Sequence, residues 1–209
     1  MTSEAPAARP EVEIVVLVSG SGTLLQALID AAREPAYGVR IAAVGADRPC
    51  RGLERAEQAG ITTFVCRPAD YATRAEWDAA LAERIRGAGP RFVVSAGFMR
   101  LLGDRVLSEN LVINTHPALL PSFPGTHGVR DALVHGVKVT GTTCHVVDAG
   151  LDSGPIIEQR VVPVQDGDTE ESLHERIKVQ ERAMLVDVVR RLAQEGLVVE
   201  GRRVRFGTS

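Results

Sequence analysis

The most constraining feature of this chain is an alternation of two hydrophobic periods. Ile14-Val15-Val16-Leu17-Val18 is a continuous apolar and β-branched run, as expected of a strand covered on both faces. Ser19-Gly20-Ser21-Gly22-Thr23 follows, and then Leu24, Leu25, Leu28, Ile29 and Ala32 recur at helical spacing. The pattern repeats. Residues 39–45 read as a second strand, 52–59 as a helix ended by Gly60, and 61–65 as a third strand. Residues 73–87 read as a helix with Trp77, Leu81 and Ile85 on one face, and 92–95 as a fourth strand. Alternating βα units predict an α/β fold: a mostly parallel, twisted, doubly wound sheet with helices on both faces. Residues 111–114 are expected to be its fifth strand, and His127 to His135 a short helix. The runs 139–147 and 155–164 predict an antiparallel hairpin. Asp168-Thr169-Glu170-Glu171 should cap a long helix running to about Gln194. Residues 197–200 and 203–206, around Gly201-Arg202, predict a terminal hairpin and so an antiparallel C-terminal portion.

The 209 residues suit one domain, read as 11–209, behind an Ala- and Pro-rich tail, 1–10, expected to be disordered. A hydrophobic content of 44% is enough for a sizeable core. A net charge of −3 gives no hint of nucleic acid as a partner. Cys50, Cys66 and Cys144 form no CxxC pair, which suggests reduced thiols in a cytoplasmic protein, not a zinc site or disulfide framework. No signal-peptide core and no run of about twenty apolar residues stands out, so no membrane is expected.

Three places carry candidate chemistry. At Ser19 to Thr23 the glycines permit a tight turn, and the helix start offers free N–H groups to an anion, with Ser21 or Thr23 as candidate caps. The third glycine of a dinucleotide fingerprint is absent, as is the lysine of a Walker loop. A monophosphate fits better than either, and a plain tight turn is the alternative. The second place is Ile113 to Gly125. Asn114 and His116 are two apart, so in extended chain they share a side. Pro117 keeps His116 extended. The pair should project beyond a strand end, where open α/β sheets bind ligands. An amide and an imidazole aimed at one point can stabilise an oxyanion and move a proton; capping of a local turn is the plainer use. The third is the acidic glycine loop, where Asp148 or Asp152 could sit beside the His and raise its pKa. Phe98 to Leu102, after a strand, could line a pocket for a flat ring or pack in the core. Arg74, in a helix's first turn, is either a tolerated cost or a ligand contact.

Residues 113–125, with Asn-x-His-Pro and Pro-x-Phe-x-Gly, and residues 151–157, with Asp-x-Gly-Pro, resemble the signature of folate-dependent formyltransferases. The resemblance runs over essentially residues 14–200. It implies a formyltransferase domain on a Rossmann-like sheet. It also implies that glycinamide ribonucleotide takes a formyl group from 10-formyltetrahydrofolate, a step of purine synthesis. On that resemblance Asn114 would hold the formyl oxygen and His116 would be the general acid. Asp152 would raise the histidine pKa and relay protons through water. Gly22, Thr23 and Leu24 would offer backbone N–H groups to the nucleotide phosphate, and Lys178 and Glu181 would contact the same substrate. Arg74, Met99, Arg100, Leu101, Leu102, Asn114 and the run Asp148, Ala149, Gly150, Leu151, Asp152 would form the folate pocket. His145 matches a recurrent pocket-side histidine, read first as structural support. Leu24 and Lys178 depart from the asparagine and glutamine common in the family, which removes any side-chain contact from the first and tunes the second. Small-molecule substrates are the expected partners, with no metal; a homodimer is left open. The rivals are a formyltetrahydrofolate hydrolase, a methionyl-tRNA formyltransferase, and a nucleotide-binding module without catalysis.

Overall fold

Strand β1 (Val12–Val18) is buried from both sides, and the sheet grows outward from it. In the computed structural model, which describes residues 11–208, Ile14, Val16 and Val18 enter one core and Val15 and Leu17 the other. Period two on a strand with two covered faces demands that split. The expected disordered tail, 1–10, lies outside the described residues.

The remaining strands are β2 (Val39–Ala46), β3 (Thr62–Val65), β4 (Phe92–Ser95), β5 (Val112–His116), β6 (Val139–Val146) and β7 (Ile156–Pro163). They form one sheet in the order β3-β2-β1-β4-β5-β6-β7, with β8 (Leu197–Glu200) and β9 (Arg203–Phe206) as a separate hairpin. Pairing is parallel from β3 through to β5 and antiparallel for β5–β6 and β6–β7. The α/β, mostly parallel expectation holds, as does the antiparallel end.

Helices α1 (Thr23–Ala32), α2 (Arg51–Gln58) and α6 (Glu170–Glu195) cover one face with Leu25, Leu28, Leu53, Met184, Leu185 and Val188. Helix α3 (Arg74–Gly87) covers the other with Trp77, Leu81 and Ile85, joined by Val106 of α4 (Asp104–Glu109). Each such fully buried side chain contributes on the order of 2 kcal/mol. Helix α5 (Gly128–Val134) sends Val129 into a small cluster with Val162, Leu173 and Ile177. Helix α6 starts at a capping box in which Ser172, not a glutamate, reciprocates Thr169. The Arg191 guanidinium lies 3.7 Å over the Phe206 ring, fastening the terminal hairpin to α6. Among the described residues no helix is long and apolar enough to cross a membrane.

One local expectation fails, and one helix has no counterpart in the sequence reading. Residue Gly22, in the left-handed region at φ 69°, is the N-cap of α1, with no side-chain cap from Ser21 or Thr23. Helix α4 was not anticipated at all. Its N-cap residue, Gly103, has no side chain to cap with; the cap comes from Asp78 of α3. The buried Asp78 carboxylate accepts from Gly103 N and Arg105 N, each at 2.8 Å. Asp78→Ala should therefore lower unfolding stability by about 3 kcal/mol, since two charge-assisted backbone hydrogen bonds go at once. Asp78→Asn, which keeps one acceptor oxygen, should cost roughly half as much. Urea denaturation midpoints check both, and equal stability of all three proteins would refute this account of α4.

Candidate active site

Strand β5 runs two residues further than expected, so Asn114 and His116 lie within it, not beyond its end. The reason is β6, which pairs antiparallel through His116↔Thr143 and keeps the strand extended. Val112 enters the core under α3 and α4, and Ile113 the core under α6. By alternation Asn114 and His116 share the α3/α4 side and Thr115 faces α6. His116 is only 4% exposed. Its Nε2 donates to the Phe123 carbonyl at 2.8 Å, which leaves Nδ1 as the ring atom that can gain or lose a proton. Nδ1 faces Asp152 Oδ2 at 3.4 Å.

The polar cluster thus meets as expected, and His145 joins it. In register opposite Asn114, its Nδ1 donates to the Val146 carbonyl at 3.0 Å. In the neutral ring Nε2 is then an acceptor, and Asn114 Nδ2 donates to it at 3.3 Å. That fixes the amide with its second N–H free. Asp152, at φ 50°, accepts from Gly125 N at 2.8 Å and lies 3.7 Å from His145 Nε2. The His145 ring, then the Gly125 amide and the neighbouring imidazole charges, hold the Asp152 carboxyl below the usual carboxylate range, against burial. The Gly125 amide acts whatever the charge of the two rings. Asp148 has a different task. It accepts from Gly150 N at 3.1 Å and Ser153 Oγ at 2.7 Å, so it shapes the loop that delivers Asp152.

Gly22, Thr23 and Leu24 open α1 beside the end of β1. A Cβ on Gly22 would fall 2.6 Å from Gly52 Cα, so the glycine is needed for contact with α2. A groove of about 660 Å³ runs from Thr23 between α1 and α6, lined also by Gln26, Arg55, Val179 and Arg182. It excludes Asn114, His116 and Asp152, and so adjoins the turn and not the imidazole cluster. On α6, Lys178 pairs with Glu175 at 2.8 Å on the helix surface. Glu181 is buried, and burial pushes its carboxyl above the usual range despite Thr115 beside it. Thr115 Oγ1 has no well-formed hydrogen bond. Glu181 therefore stands on the α6 side of β5, across the strand from Asn114 and His116.

The segment after β4 is pinned from several elements. Met99 N donates to Ser19 Oγ at 2.8 Å, and Arg74 Nη2 to the Leu101 carbonyl at 2.6 Å. Arg100 Nε donates at 2.7 Å to Asp47, whose side chain is fully buried and whose other oxygen is unpartnered. Met99, Leu101 and Leu151 are exposed, whereas Phe98 and Leu102 are buried, Phe98 stacking on Trp77 at 6.5 Å between centroids. Both readings of this segment are thus in use, by different residues. The sequence reading passed over Ser19, Asp47 and Arg55, because each acts through a partner more than 25 residues away. Among the described residues no group of His, Cys, Asp and Glu is arranged to hold a metal ion.

Comparison with known proteins gives the family. The formyl transferase family model matches residues 12–189. A Mycobacterium tuberculosis phosphoribosylglycinamide formyltransferase is 55% identical over 196 residues, covering 93% of this chain and 91% of that one. The Escherichia coli phosphoribosylglycinamide formyltransferase is 41% identical, with 82% of each chain covered. The crystal structure of glycinamide ribonucleotide transformylase 1 from Symbiobacterium toebii superposes with a TM-score of 0.91 at 47% identity, over 95% of both chains. With the model spanning most of its length and the Asn114–His116–Asp152 cluster assembled, the chain belongs to the formyl transferase family.

Proposed function

We propose that this chain transfers the formyl group of 10-formyltetrahydrofolate to the primary amine of glycinamide ribonucleotide, in purine biosynthesis in the cytoplasm. Residues 11–209 act as one formyltransferase domain on these two small molecules. The observation that carries the reading is the meeting of Asn114, His116 and Asp152 at the end of β5, in a chain so similar to proteins of that name.

The amine attacks the formyl carbon, and negative charge develops on the formyl oxygen. The free N–H of Asn114 Nδ2 donates to that oxygen. His116 turns Nδ1 to the Asp152 carboxylate at 3.4 Å, so that ring and carboxylate can exchange a proton during transfer. Asp152, held ionised, accepts the proton that the amine must shed and passes one through water to the departing folate nitrogen. These transfers need no metal. The exposed Met99, Leu101 and Leu151 side chains suit a flat ring that would cover them, and Arg74 and Arg100 suit its carboxylate tail. The backbone N–H groups of Gly22, Thr23 and Leu24 receive the nucleotide phosphate. Lys178 and the buried Glu181 contact the same nucleotide from α6.

Purified protein mixed with both substrates should release tetrahydrofolate, followed by folate absorbance, only when glycinamide ribonucleotide is present. Folate turnover without the ribonucleotide would instead identify a hydrolase, and no turnover a binding module. His116→Ala and Asp152→Asn should each lower kcat by about two to three orders of magnitude while the KM for the ribonucleotide changes little; near-normal turnover in either variant would refute its assigned role. The pH dependence of stability has a definite sign. Because the folded pKa of Asp152 is depressed, its contribution is complete above the ordinary value of about 3.9 and is lost as pH falls through the folded value. The stability gap between wild type and Asp152→Asn should therefore narrow as pH falls from about 5 towards the folded value. Urea midpoints measured across that range check it.

A further inference from the structure

Helix α2 grips the glycine turn at three successive residues. Gly52 N donates to the Gly20 carbonyl at 3.0 Å. Arg55 Nε donates to the next carbonyl, that of Ser21, at 2.8 Å. Gly22 then packs against Gly52 so closely that a Cβ would meet Gly52 Cα at 2.6 Å. In a trans peptide the C=O of one residue and the N–H of the next point in opposite directions. Holding the Gly20 and Ser21 oxygens towards α2 therefore turns the N–H groups of Ser21 and Gly22 away from α2, to the outer side of the turn. Arg55 makes a second tie, from Nη1 to Gln26 Oε1 at 3.0 Å, and so links the turn to the body of α1. The backbone N–H of Gln26 closes the first turn on the Gly22 carbonyl at 2.8 Å.

We propose that Arg55 is a positioning residue for phosphate recognition: its guanidinium fixes the Ser21–Gly22 peptide plane so that Gly22 N–H faces the phosphate. This rests on the phosphate site proposed above. A glycine-containing turn has no side-chain packing of its own to hold a peptide plane, so an outside donor must do it. The cation does more than orient. Placed at the oxygen end of the peptide dipole, it polarises the N–H end and strengthens it as a donor to an anion. A lysine could reach the Ser21 carbonyl but could not also hold Gln26 in the same fixed fork.

The test uses the full chain as wild type, Arg55→Ala and Arg55→Lys. In Arg55→Ala the KM for glycinamide ribonucleotide should rise about tenfold, the loss expected for one misaligned hydrogen bond to a charged group. The kcat and the KM for the folate should stay within about twofold of wild type. Arg55→Lys, which keeps the charge and the aliphatic stem and so guards against a folding defect, should recover part of the loss. In amide NMR spectra of the ligand-free proteins, the Gly22 resonance should move in Arg55→Ala. Inorganic phosphate, which shifts it in wild type, should need a higher concentration to do so. An unchanged ribonucleotide KM, an equal rise in both KM values, or complete recovery by lysine with an unmoved Gly22 amide would each overturn the proposal. The phosphate titration separates it from the assigned reaction. A wild type that binds phosphate at Gly22 and loses that binding in Arg55→Ala, yet formylates nothing, supports the role of Arg55 and overturns the reaction. A wild type that formylates the ribonucleotide while Arg55→Ala keeps its KM overturns the role of Arg55 alone.

Discussion

The site depends on solvating one nearly buried carboxylate. The Asp152 side chain is 11% exposed, and a carboxylate so placed must find donors within the protein or lose its charge. Gly125 N donates to it, and the His116 and His145 rings lie beside it at 3.4 and 3.7 Å. Each of these brings a segment of chain with it. Gly125 ends the proline-rich run that follows His116, and that run is tied to β6 through Thr143. The Thr143 hydroxyl accepts from Leu120 N and donates to the Ala118 carbonyl. Gln159 of β7 closes the tie by donating to the Leu120 carbonyl. One negative charge thus fixes the geometry of β5, the loop after it, β6 and the Asp148–Asp152 loop together.

The change from parallel to antiparallel pairing at β6 makes this possible. A parallel neighbour would reach β5 only after a crossover, and its side chains would arrive from a separate βα unit. The antiparallel β6 instead sets His145 directly across from Asn114, and the chain then turns through Asp148 and returns Asp152 to the same place. The acceptor Nε2 of His145 takes one N–H of Asn114 and so decides which end of that amide faces outward. A histidine read from the sequence as support is in fact the group that orients the amide.

The strands, most helices and the terminal hairpin were legible because their signals are local. Ile14–Val18 carries its own two-sided burial, and Thr169 carries its own cap. What was illegible is what one segment borrows from another. Helix α4 has six residues and takes its N-cap from Asp78, 25 positions upstream of Gly103; no window of sequence around residue 104 contains that information. The extension of β5 to His116 comes from β6, and the buried Asp47 beneath Arg100 comes from the end of β2. The candidate site shows the same division. Asn114, His116 and Asp152 were legible as types within a motif, whereas the Phe123 carbonyl on the imidazole and the direction of the Gly22 α-carbon are properties of the fold alone.

Strand β5 also divides the candidate residues into two groups. Thr115 and the buried Glu181 lie on the face covered by α6, on the same side as the start of α1. Asn114 and His116 lie on the opposite face, with the segment that Arg74 and Ser19 hold after β4. Alternation along three consecutive residues therefore places the residues proposed for the nucleotide and those proposed for the folate on opposite faces of one strand. On that proposal the amine and the formyl carbon meet around the carboxyl end of β5, where the strand stops dividing the two faces. That edge is where Asp152 enters and where Pro117 ends the strand, and amide, imidazole and carboxylate converge there.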